Sequence, residues 1–164
     1  MTTVTDNPRS TNRKGFTASA GLGDDLQQVL VDLIGLQLQA KQAHWNVVGH
    51  NFRDLHLQLD EITDAARDAA DTIAERMRAM GKVADGRAPT VAGTAGLTPL
   101  PAGELGTSTV VDLITDSMRT VVAGIRRVHD EVDREDPSTS DLLHGIVVEL
   151  EKQSWMLSAE NRSA

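Results

Sequence analysis

Cysteine and tyrosine are absent from this 164-residue chain, and phenylalanine and tryptophan occur twice each. Without cysteine there is no disulfide framework, no thiolate metal site and no thiol peroxidase chemistry; a reducing compartment suits such a chain. So few aromatics beside 40% hydrophobic residues leave the core to Leu, Val, Ile and Ala, the side chains of packed helices. No apolar run approaches the roughly 18 residues needed to cross a bilayer. The opening residues, MTTVTDNPRSTNRKGF, hold no apolar signal core, so the cytoplasm is the expected location. Positive charge is in the minority, 16 Lys and Arg against 24 Asp and Glu. The net charge of −8 argues against a broadly basic nucleic-acid surface and suits a protein that collects cations.

What is present is helical periodicity. Residues 1–22 are rich in Thr, Ser, Asn and Gly and read as an N-terminal arm, mildly basic through Arg9, Arg13 and Lys14. A first helix is expected from a cap at Asp24 to about Val48, with Leu26, Val29, Leu30, Leu33, Leu36, Ala40 and Val47 as its apolar stripe. A second runs from about Phe52 to Met80 and stops at Gly81. Residues 81–107 are rich in Gly, Pro, Thr and Ala, long enough to travel the length of a bundle and to contain a short helix. A third helix starts near Thr107–Thr109 and reaches about Asp133, and a fourth follows Pro137, with Ser138 and Asp141 spaced as a capping box. The layout is all-α: a four-helix bundle over residues 23–160 with a long crossover between its second and third helices, of the ferritin type, and a tail at 161–164.

The stretch from His44 to Glu75 carries the chemistry. His44 and His56 lie equal distances either side of a turn near His50, so an antiparallel hairpin sets them level. Asp60 follows His56 by one helical turn and shares its face; Asp71 and Glu75 are a second pair at the same spacing. On one straight helix these groups cannot meet. His56 and Glu75 are roughly 28 Å apart at 1.5 Å per residue, and Asp60 and Asp71 roughly 16 Å, whereas a metal reaches its ligands at only about 2.0–2.6 Å. His56 and Glu75 are, however, equidistant from a midpoint between Ala65 and Ala66, and so are Asp60 and Asp71. A second copy, antiparallel about that point, would place His56 opposite Glu75 of its partner and Asp60 opposite Asp71. The alanines at 65, 66, 69 and 70 are expected to let the two helices approach. Two metal sites shared across a dimer follow.

Two imidazoles with three carboxylates suit Fe(II), Mn(II) or Zn(II) rather than Ca(II) or Cu(I). Iron is favoured because carboxylates accommodate both its oxidation states, with one or two ions per site. No Glu-x-x-His occurs, which disfavours a di-iron site inside the bundle, and no zinc-protease, P-loop or nucleophile-elbow motif occurs.

KQAHWNVVGHNFRDLHLQLDE followed by DTIAERMRAMG resembles the signature of the Dps family (DNA-binding protein from starved cells) of the ferritin-like superfamily. The resemblance covers about residues 22–160 and is weak in both tails. It implies a hollow homododecamer whose dimers share ferroxidase sites, with His44, His56 and Asp60 from one subunit and Asp71 and Glu75 from its mate. It further implies oxidation of Fe(II), by hydrogen peroxide in preference to oxygen, and storage of ferric mineral, protecting DNA from oxidative damage. Trp45 sits where family members keep a Trp near the site, in a role of radical interception or of interface packing. The acidic end of the third helix resembles the family's iron entry pore, with Asp136 and Asp141 the foremost lining candidates and Asp133 and Glu135 behind them. His50, His129 and His144 read as surface or structural. The alternative function is a nucleoid-compacting DNA-binding protein with a secondary metal site, though the arm is poorer in positive charge than the Lys-rich arms of DNA-binding members. A third reading is a helical assembly that holds zinc without redox work.

Overall fold

The computed structural model describes residues 15–162, and four long helices and one short one account for most of them. Helix α1 spans Ala20–Asn46, α2 Phe52–Ala79, α3 Ala88–Thr94, α4 Thr107–Glu135 and α5 Pro137–Ala159. The basic residues of the arm, Arg9, Arg13 and Lys14, lie outside the described residues.

α1 begins earlier than its composition predicts. The cap is Ser19, not Asp24: its hydroxyl accepts from the Leu22 N–H at 3.1 Å. Glycines at 21 and 23 disfavour a helix locally, but distant contacts override them. The Glu135 carboxylate accepts from both the N–H and the hydroxyl of Ser19, at 2.7 Å each, and Ala18 N–H donates to the Met80 carbonyl at 3.2 Å. Ala18 and Leu22 are buried in the core, so the bundle starts several residues before the expected boundary at 22.

α1 and α2 form an antiparallel hairpin across a short turn in which Gly49 and Asn51 take positive φ, 126° and 62°. α2 ends as expected at Gly81, φ 78°. Leu55, Leu59, Ile62, Ala66, Ala70, Ile73 and Met77 form its buried stripe. Truncating one of these, such as the fully buried Leu59, to alanine costs about 2–5 kcal/mol.

The crossover runs back along α1, held by that helix's polar side chains. Gln27 exchanges two hydrogen bonds with the Asp85 peptide, both 2.9 Å. Farther along, Asp32 accepts from Gly96 N–H at 2.7 Å and Gln39 donates to the Thr98 carbonyl at 2.9 Å. The crossover therefore travels parallel to α1 and delivers α4 to the end where α2 began. There Val47–Val48 (β1) pairs in parallel with Leu105–Gly106 (β2), a ladder that composition did not announce. α4 and α5 turn sharply at Asp136. That residue, followed by Pro137 at N1, is the N-terminal boundary of α5; the Ser138–Asp141 box does not form it.

Candidate metal centre

α1 presents His44 in its last turn, and α2 presents His56 in its second. The rings stack with centroids 3.6 Å apart and planes inclined by 22°. Each Nδ1 lies against the other residue's main-chain carbonyl. His44 Nδ1 is 2.9 Å from the His56 oxygen, and His56 Nδ1 is 3.0 Å from the His44 oxygen. The His44 carbonyl belongs to the helix end, where no helical N–H reaches it, and the His56 ring satisfies it. Because a carbonyl only accepts, each Nδ1 carries a proton, which in the neutral imidazole leaves the lone pair on Nε2. Proteins orient imidazole metal ligands in this way.

Asp60 joins the pair from one turn along α2. Its Oδ1 lies 3.3 Å from His44 Nδ1, farther than the carbonyl, and it forms an ion pair with the Lys41 ammonium. The Lys41 hydrogen bond leads the influences that hold the Asp60 carboxyl below its usual value; burial opposes it, and the imidazoles reinforce it. Sequence reasoning missed Lys41. Its spacing, three residues before His44 and so on the same helical face, was the available signal.

Asp71 and Glu75 are exposed on α2 and have no hydrogen-bond or ion-pair partner among the described residues. Among the described residues of one chain, no three His, Asp or Glu side chains converge on a cation position. The structure brings His44, His56 and Asp60 together and leaves Asp71 and Glu75 along the same unbroken helix, roughly 16 Å or more from Asp60. Trp45 projects outward beside His44, 67% exposed.

The four alanines do not lie on a free face. Ala66 and Ala70 are buried in the chain's own core, and Ala65 and Ala69 border a groove against α5. The outward face near the midpoint carries Asp64 and Arg67 instead.

At the α4–α5 turn the acidic residues differ from one another. Asp136 is only 8% exposed, ion-paired with Arg76 and bonded by the Thr139 hydroxyl. Glu135 is exposed, but its carboxylate holds Ser19, and those bonds keep its pKa below the ordinary value. Asp133 and Asp141 are exposed. Nearby, the His129 and His144 rings lie 4.4 Å apart, and His129 Nε2 is 3.0 Å from the Ser140 hydroxyl. This local packing fits a structural role for His129; His50 is exposed on the hairpin turn.

A four-helix bundle with one long crossover, bearing an imidazole–carboxylate set on its first hairpin, defines a ferritin-like protein, and residues 23–162 match the ferritin-like domain family. DNA protection during starvation protein 2 of Deinococcus radiodurans is 35% identical over 163 residues, covering 96% of this chain and 68% of that protein. The DNA protection during starvation protein of Agrobacterium fabrum is 33% identical over 135 residues, 82% of this chain and 83% of the relative. Among solved structures, Dps92 from Deinococcus radiodurans superposes with a TM-score of 0.84 at 34% identity, covering 88% of this chain and 87% of that one. Dps from Microbacterium arborescens in its high iron form gives 0.82 at 31% identity, covering 89% and 98%. Within the ferritin-like class, the chain belongs to the Dps family.

Proposed function

We propose that this protein is a Dps-type ferroxidase and iron store. Fe(II) is its substrate, oxidised with hydrogen peroxide or oxygen at two sites shared within each subunit pair, with the ferric product stored as mineral inside a homododecameric cage. The observation that carries this reading is the reciprocal histidine pair, whose two Nε2 lone pairs are preset for a cation. A solvated helix face has no need of that arrangement.

In this reading His44, His56 and Asp60 bind Fe(II) from one subunit, and Asp71 and Glu75 of the partner subunit complete the set. The imidazoles favour Fe(II), and the carboxylates bind the harder Fe(III) after each electron is lost. Two Fe(II) reduce one hydrogen peroxide to two hydroxides, and each site handles one or two ions. Asp60 enters the set by exchanging the Lys41 ammonium for the cation, which preserves its charge balance. Trp45, beside the site and exposed in the single chain, intercepts radicals or packs at the subunit contact. Of the two foremost pore candidates, Asp141 is free to line the acidic entry for Fe(II), joined by the exposed Asp133, whereas Asp136 is withdrawn from the lining by its burial and its ion pair with Arg76. Capture of iron and peroxide shields DNA in the cytoplasm. Contact with DNA through Arg9, Arg13 and Lys14 is a separate property, reinforced by the number of arms in a cage.

Stopped-flow oxidation of Fe(II) with peroxide and with oxygen, beside light scattering for assembly size, tests the reading. Rapid peroxide-driven oxidation to a soluble ferric assembly is expected. Fe(II) that oxidises no faster than in buffer, and precipitates, would refute it.

A further inference from the structure

The outward face of α2 reads His56, Asp60, Asp64, Arg67, Asp71, Glu75, at spacings of four, four, three, four and four. Such spacings keep side chains on one helical face, and this series is the same read from either end. Its outer members are the ligands of the shared-site reading, on which the present inference rests. The two central ones have no part in that chemistry.

Asp64 and Arg67 are exposed, 62% and 59% at the side chain. Within the chain their contact is loose. Arg67 Nη2 lies 3.3 Å from Asp64 Oδ1, and Nε lies 3.5 Å from Asp68 Oδ1. A guanidinium has five N–H donors, so Arg67 keeps capacity for another carboxylate. Asp64 and Arg67 also stand at equal distances on either side of the midpoint between Ala65 and Ala66. An antiparallel pairing about that point brings each Asp64 beside the partner's Arg67, twice over. From Asp60 to Glu75 inclusive this face carries four carboxylates and only Arg67 as a cation. Two such faces repel unless their cations sit where the helices come closest, and that is the midpoint.

We propose that Asp64 and Arg67 form two reciprocal ion pairs between subunits at the centre of the α2–α2 crossing. These pairs fix the register in which the imidazoles of one chain meet Asp71 and Glu75 of the other. The partner is a second copy of this chain, and the proposed site is incomplete without it.

The test is charge reversal in the full-length protein: Asp64→Arg, Arg67→Asp, and both together. Both positions are exposed, so folding, followed by circular dichroism, is retained. Each single variant turns two attractions into two repulsions, and its subunit pair dissociates at a concentration on the order of a hundredfold higher. An equimolar mixture of the two single variants restores association through mixed pairs, because every crossing then joins an arginine to an aspartate. The double variant restores it alone. Mass distributions on dilution read all four, and peroxide-driven Fe(II) oxidation should track them. Single variants that associate as tightly as the parent would overturn the ion pairs and leave the shared site standing. So would a mixture that recovers nothing, since the effect would then lie within one chain. A parent that never associates would overturn the shared site and this proposal together.

Discussion

Each imidazole of the hairpin pair uses the other's main chain to fix its own orientation, so the half of the proposed iron site that one chain supplies is arranged without a cation. Replacing both, His44→Ala with His56→Ala, is expected to slow peroxide-driven Fe(II) oxidation by tenfold or more, read by stopped-flow absorbance; an unchanged rate would refute the ligand assignment. Asp60 offers a second test at this scale. The Lys41 ammonium holds its carboxyl below the ordinary value, so Lys41→Met should move that pKa upward, measured by carbon-detected NMR titration of the carboxyl. The folded value is the depressed one. The pair's stabilisation is therefore present above the unfolded carboxylate range and lost as pH falls through the folded value. With Asp60 42% exposed, solvent screening keeps that contribution small.

Among the elements, the long helices were legible because their apolar residues repeat at helical period and α2 ends at a glycine with positive φ. Their ends were less so. Ser19 caps α1 because Glu135, 116 positions away, accepts its two hydrogen bonds, and no local pattern signals such a contact. The α4–α5 corner failed for the same reason: Arg76 from α2 reaches Asp136 and donates to Thr139 at 2.9 Å. Burial alone would raise the Asp136 carboxyl, but the Thr139 hydroxyl and the Arg76 guanidinium outweigh it and hold it low. Asp136→Ala should cost about 2–4 kcal/mol by leaving the buried Thr139 hydroxyl and the guanidinium without their acceptor, visible as a lower melting temperature near pH 7. Since the folded pKa is the depressed one, this stabilisation is complete above about pH 4 and fades below it. The gap between parent and variant should therefore close in acid.

For the whole molecule, the convergence of His44, His56 and Asp60 could be read from spacing, while the mirrored series on α2 is what proposes Asp71 and Glu75 of a second helix as their complement. Which side chains face that second helix could not be read this way. The alanines turn inward because the apolar stripe of α2 has first claim on small residues, leaving Asp64 and Arg67 outside. Mixing tests the sharing directly. Asp60→Ala and Asp71→Ala subunits are each expected to be impaired, while a mixed pair regains one intact site and carries one doubly damaged. Random equimolar mixing of such symmetric pairs makes about a quarter of all sites intact. No recovery on mixing would argue for ligands held within one chain. The arm is tested separately: deleting residues 1–14, which removes Arg9, Arg13 and Lys14 and spares the Ser19 cap, should abolish a salt-sensitive gel shift with duplex DNA and leave iron oxidation unchanged.

A rod of 28 residues with no break has one further effect in solution. Because α2 cannot fold back on itself, the proposed centre would exist only where two chains have met, and specific activity would then depend on how much protein is present. Dilution below the pairing threshold would extinguish turnover while every polypeptide stays folded, and a cell making only traces of the protein would hold it as an inert reserve.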